Sequence, residues 1–197
     1  MINLNNYPIF MNHLSNLKET SLDDHNNNQL YMTQSTRVAI DFDDVKDEYV
    51  ANLGLSEPPK SNDALFDEGN GNLVFVEFKN GFMDRAKQFS VRKKIYDSAL
   101  IFTDITGTGI SDMRQQMKYI LVYNERVNLT NNTDTALQEK QQASVQPSSS
   151  FDDIAKTLGQ LAKEEYICFG IKIFQNYCFK EVHTYTESEF ASYLSTL

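Results

Sequence analysis

Residues 62–81 read NDALFDEGNGNLVFVEFKNG, and the folding of this stretch decides the fold of the chain. Two apolar runs, NDALF and NLVFVEFK, flank DEGNGN, whose Gly-Asn-Gly centre suits a tight turn, so the stretch predicts a β-hairpin. In the second run Val74, Val76 and Phe78 share one face, while Phe75, Glu77 and Lys79 share the other. A turn centred on Asn70 sets Asp63 opposite Glu77, with Cβ atoms about 5 Å apart. A bulge at the turn would shift the pairing by one and still leave the two carboxylates diagonal neighbours. Lys79 lies on the Glu77 face, about 7 Å along the strand.

Helical patterns surround the hairpin. Upstream, Phe42, Val45, Tyr49 and Leu53 fall at helical spacing, with Asp43 or Asp44 at the amino end and Gly54 as a stop. Pro58 and Pro59 then interrupt any helix. Downstream, FMDRAKQFSVRKKIYDSALIFTDI predicts a long helix with an apolar stripe of Phe82, Ala86, Phe89, Tyr96 and Leu100, widened by Ile95 and Ala99. TGTGISD is a Gly-rich break lacking the lysine of a phosphate-binding loop, and MKYILVYNE is a buried strand. The middle of the chain therefore runs helix, strand, strand, helix, strand.

The flanks differ in composition. Residues 1–36 are polar and Asn-rich, and predict loop with a short helix at most. Residues 128–150 have few large apolar side chains and no period, which predicts a flexible linker or long loop. Residues 151–197 predict an extension of helix, hairpin and helix: FDDIAKTLGQLAKEEY, then ICFGIKIF and YCFKEVHTY turning at Gln175-Asn176, then ESEFASYL capped by Thr186. The organisation expected is thus a 1–36 segment, a 37–127 core, a 128–150 linker and a 151–197 extension packing on the core.

With 41% hydrophobic and 23% charged residues the composition is that of a globular domain. No stretch approaches the ~18 consecutive apolar residues of a membrane span, and the amino terminus lacks the pattern of a signal peptide, so the expected location is the cytoplasm. Cys168 and Cys178 match no zinc spacing, and His13, His25 and His183 are scattered. The net charge of −9 argues against a dedicated nucleic-acid-binding domain. Locally the balance reverses: from Lys79 to Tyr96 six basic residues face one acid, and charges are screened beyond about 10 Å.

Two carboxylates on a half-buried sheet face repel each other and resist losing water. A shared proton, a lysine, or a divalent cation would relieve them. Magnesium takes one or two carboxylates and fills its remaining positions with water and phosphate oxygens. A lysine beside such an ion can orient a water or neutralise the transition state, which suits phosphodiester hydrolysis. The bland alternative is an alternating charge ladder on an edge strand, which a directly opposed Asp63 weakens.

Asn62-Asp63, a gap of thirteen, and Glu77-Phe78-Lys79 resemble the motif of the PD-(D/E)xK nuclease superfamily over about 90 residues. Asn62 stands where that family often shows proline. The resemblance implies a restriction-endonuclease-like α/β (α+β) fold, an αβββαβ core whose mixed sheet is flanked by helices. It implies magnesium, with manganese as substitute, held by Asp63 and Glu77, and Lys79 as the catalytic lysine. A further carboxylate from the first helix is implied, with Asp44, Asp47 and Glu48 as candidates and Glu48 preferred. The helix after the motif would meet the phosphate chain through Arg85, Lys87, Gln88, Arg92 and Lys93, with Lys94 nearby. The partner implied is nucleic acid, DNA before RNA, with a homodimer or protein partner conceivable, in restriction, defence or repair. Two other classes stay open: a nuclease-like fold that no longer cuts and serves as a binding module, and an acidic factor that mimics nucleic acid.

Overall fold

The computed structural model describes residues 2–23, 30–51, 53–128 and 167–197. All but Asn128 of the expected 128–150 linker, and the helix expected over 151–166, lie outside them. Along the chain come α1 (Pro8–Asn12), β1 (Leu14–Asn16), α2 (Leu17–Thr20), β2 (Leu22–Asp23), β3 (Leu30–Tyr31) and β4 (Val38–Asp41). They are followed by α3 (Phe42–Val50), β5 (Ala64–Gly69), β6 (Asn72–Lys79), α4 (Arg85–Thr106) and α5 (Ile110–Gln116). The last elements are β7 (Met117–Tyr123), β8 (Glu181–Thr186) and α6 (Glu187–Leu194).

β5 and β6 form the hairpin. Its turn places Asn70 at φ 54° and Gly71 at φ 80°, left-handed conformations that asparagine and glycine tolerate. Ala64 pairs with Val76, Leu65 with Phe75 and Phe66 with Val74, and a register shift falls between Asp67 and Gly69. Continued by one residue, that register sets Asp63 beside Glu77. The irregularity sits at the turn, so it leaves the far end in phase.

The hairpin lies inside a six-stranded mixed sheet of order β1-β4-β5-β6-β7-β8. Pairing is antiparallel from β1 to β6, then parallel from β6 through β8. β6 is covered on both faces, which explains its almost unbroken apolar run. Leu73 and Phe75 join a core with Phe10, Phe42, Ile95 and Phe102. Val74, Val76 and Phe78 join a second core with Leu17, Phe66, Ile120 and Phe190.

α4 starts at Asp84, whose carboxylate accepts from the Lys87 N–H, and ends at Gly107 with φ 64°. Its buried face keeps only Ile95 and Ala99 of the stripe that the sequence predicts. Phe82 precedes the helix, Ala86 is exposed, and Phe89 and Leu100 are 71% and 66% exposed. Val91, Ile95, Ala99 and Phe102 face the sheet instead, together with Ser98 and Thr106. Those hydroxyls are accommodated because each is bonded: Ser98 Oγ accepts from the Asn62 N–H at 2.8 Å, and Thr106 Oγ1 donates to the Phe102 carbonyl at 2.7 Å.

Two flanking segments also depart from expectation. The polar amino-terminal segment contributes β1 to the sheet and buries Phe10 and Leu17 completely. Phe10 stacks on Phe42 and Phe102 at centroid separations of 6.4 and 5.8 Å. The expected C-terminal hairpin does not form. Phe169 and Gly170 adopt φ 59° and 64°, Lys172–Phe174 is a 3-10 turn, and β8 pairs in parallel with β7. Ile171, Phe174, Cys178 and Phe179 plug the core between these elements, so burial rather than strand pairing accounts for their apolar character. α6 is capped as expected, by a reciprocal box between Thr186 and Glu189. No helix among the described residues is long and apolar enough to cross a membrane.

Candidate functional site

Asp63 precedes β5, and three elements fix it. Its carbonyl accepts from the Phe42 N–H that opens α3, at 3.2 Å, and its Oδ2 accepts from the Phe78 N–H on β6, at 2.6 Å. Oδ1 is left pointing toward α4, where Lys94 Nζ lies 2.8 Å away. The same nitrogen is 2.7 Å from Glu77 Oε1 and 2.9 Å from Glu77 Oε2. Lys79 Nζ also meets Glu77 Oε1. Asp63 and Glu77 thus grip one positively charged atom between them. The sequence brings Asp63, Glu77 and Lys79 together, and the structure adds Lys94.

Burial grades steeply across this cluster. The Glu77 side chain has no exposed surface, Asp63 and Lys94 are each 16% exposed and Lys79 22%. Burial, and then repulsion by Asp63, push the Glu77 carboxyl up to about 7, against the opposing pull of Lys79 and Lys94. Burial by itself would lower the Lys94 ammonium, but the attraction of Glu77 and Asp63 outweighs it and holds Lys94 above the usual lysine range. Burial, then Glu77 and Asp63, raise the phenol of Tyr119. Glu77 Oε1 lies within ion-pair distance of two ammoniums yet receives no hydrogen bond of good geometry.

Asp63, Lys79 and Lys94 line a cavity of about 670 Å³. Its walls come from α2 and β2 on one side and from Lys87 and Ser90 of α4 on the other. Asp23 of β2 is tied to the end of β6 through Asn80, whose amide donates to Asp23 Oδ2 at 2.9 Å. Gly81 leaves room for Lys87: a Cβ there would stand 2.6 Å from Lys87 Nζ.

The carboxylate that α3 presents to this cavity is Asp43, held by the Ser61 hydroxyl. Glu48 is elsewhere. It binds His13 Nε2 at 2.7 Å, Asp44 approaches the same imidazole at 4.0 Å, and Asp47 pairs with Lys46 at 2.7 Å. On α4 the ridge Lys87, Ser90, Lys94 faces the cavity. Arg85 is exposed outside the lining, Gln88 donates to the Met83 carbonyl at 2.9 Å and Lys93 pairs with Asp97 at 2.7 Å. Arg92 turns toward Gly170.

Lys94 had a signal in the sequence. Asp63 and Glu77 carry two negative charges and Lys79 one positive charge, so a buried site needs one more cation from a neighbouring element. Lys94 lies at helical spacing from Lys87 and Ser90 on the next helix.

Among the described residues no group of three or more histidine, cysteine, aspartate and glutamate side chains converges as a complete metal cage. Asp63 and Glu77 suffice for an ion that keeps several water or phosphate ligands, as magnesium does. The under-bonded Oε1 supplies a lone pair for it. No protein-family model matches the chain, no curated protein matches it in sequence, and no solved structure matches it.

Proposed function

We propose that the chain is a divalent-metal-dependent nuclease of PD-(D/E)xK type, acting on DNA before RNA. The observation that carries this reading is the joint grip of Asp63 and Glu77 on one cationic nitrogen at the floor of an open cavity, with Lys79 on the same carboxylate. Asp63 and Glu77 would hold magnesium or manganese, and Asp43 would bear on the same space. The ion would supply Lewis-acid stabilisation of charge building on a scissile phosphate. Lys94, now between the two carboxylates, would remain beside the ion's place as a counter-charge. Lys79 orients a water or neutralises the transition state, and Lys87 meets a phosphate oxygen at the cavity rim.

The test is incubation of the purified chain with DNA and RNA, single-stranded and duplex, in magnesium or manganese. Cleavage is expected to fall by about 10²–10⁴-fold in Lys79→Ala and in Glu77→Ala. Cleavage that persists in both variants would assign the activity to a contaminant and remove the site.

A second reading has one observation in its favour: Lys79 and Lys94 together already balance the charge of the carboxylate pair without metal. The chain would then be a non-cutting nuclease-like fold acting as a binding module. Calorimetric titration with manganese separates the two. Millimolar binding that disappears in Asp63→Asn supports the nuclease, and no heat of binding supports the module.

A further inference from the structure

The geometry points to an unpaired strand, held by its phosphates rather than its bases, as the nucleic acid that this site accepts. The inference rests on the nuclease reading and narrows its substrate class. Three observations carry it.

The first is size. A cavity of about 670 Å³ is about 11 Å across if taken as a sphere. A duplex, whose major groove alone is ~12 Å wide, would meet the rim of such a cavity rather than be enclosed by it. The carboxylates are recessed: Asp63, in the lining, is 16% exposed, and Glu77, behind the lining, has no exposed surface. β2 and its Asp23–Asn80 tie form part of the cavity wall, so a flexible strand reaches the carboxylates with a single phosphate more readily than a rigid duplex does.

The second is charge. Three lysines line the cavity, Lys79, Lys87 and Lys94, against the carboxylates Asp23, Asp43 and Asp63. Tight duplex binding of the kind that makes roughly 6–10 phosphate contacts needs a far larger basic surface. On a chain of net charge −9, a duplex with one phosphate per ~1.7 Å of axis is repelled more strongly than a strand carrying half that density.

The third is the lining chemistry. Phe78 is the one aromatic side chain among the described lining residues, and it is 7% exposed. The described lining residues offer no platform for stacking bases. The lysine ammoniums remain, with the Ser90 hydroxyl, which accepts from Lys60 at 2.8 Å and keeps its own proton, and these suit phosphate oxygens.

The experiment is fluorescence anisotropy with the full chain in calcium, which allows binding without cutting. The probes are labelled oligo-dT, oligo-dC, and the oligo-dT annealed to its complement. Cleavage in manganese is then followed on circular single-stranded DNA and on closed circular duplex. The expected result is binding of both strands about tenfold or more tighter than the duplex, with little difference between dT and dC. Lys87→Ala should weaken strand binding and reduce the slope of log K against log salt by about 0.7. Duplex binding as tight as strand binding, or nicking of closed duplex as fast as cutting of the single-stranded circle, overturns the inference and leaves the nuclease reading intact. Strand-selective binding without cutting of any substrate keeps the inference and overturns the hydrolytic reading. No binding to either nucleic acid overturns both.

Discussion

At Glu77, a carboxylate with no exposed surface has to ionise before it can hold a positive charge, and the protein resists that ionisation. Its carboxyl is pushed from 4.5 up to about 7, so between those values the folded state binds more proton than the unfolded chain. Stability from this residue is therefore fully present below about pH 4.5 and is lost as pH rises through about 7. The expected loss is on the order of 3 kcal/mol across that window. Glu77→Gln removes the titration, so in metal-free buffer its urea-unfolding curves at pH 5 and pH 8 should differ by less than those of the wild type. An unchanged difference would mean that the carboxyl is not the group responsible. Asp63, Glu77 and Lys79 were legible at this scale because strand alternation and the symmetry of a hairpin fix neighbours from residue numbers alone. Lys94 was signalled only by charge balance and Asp43 not at all, since the place of each depends on the rotation of a helix about its axis.

That rotation is the difficulty at the scale of the element. α4 carries two apolar faces. One holds Phe89, Tyr96 and Leu100, and the other Val91, Ile95, Ala99 and Phe102. The face with the larger exposed side chains looks the better stripe, because the buried one is interrupted by Ser98 and Thr106 and bordered by Lys94. Those polar residues go inward for reasons that lie outside the helix: an Asn62 N–H for Ser98 and two carboxylates for Lys94. A local pattern carries no record of them. The two faces should respond differently to truncation. Phe102→Ala removes a ring in contact with Phe10 and Phe75 and should cost about 3–5 kcal/mol. Phe89→Ala, on a side chain 71% exposed, should stay within about 0.5 kcal/mol. Denaturant midpoints for the pair test the orientation of the helix, and equal losses would reverse it.

For the whole molecule, the parallel strands β6, β7 and β8 set their carboxyl ends on one side of the sheet, and the candidate site lies at the end of β6, where ligands of open α/β sheets commonly bind. The helix, strand, strand, helix, strand order of the middle section was legible from alternating periods, and it survives as α3, β5, β6, α4 and β7, with the short helix α5 added after the expected Gly-rich break. What composition concealed was the reach of the sheet. β1 and β4 are only three and four residues long, too short to show a period, and they add two strands beyond the hairpin. The amino-terminal segment looks expendable because it is polar on average, yet Leu4 and Phe10 sit in the larger core and Leu17 and Met32 in the second. Phe10 has no exposed surface and lies against Tyr7, Phe42 and Phe102. If it is part of that core, Phe10→Ala should lower stability by about 3–5 kcal/mol. Near-UV and far-UV circular dichroism should still fall together in one shifted transition, because two cores built on one shared sheet unfold as a unit. An appendage would behave otherwise: the midpoint would stay within about 0.5 kcal/mol of wild type.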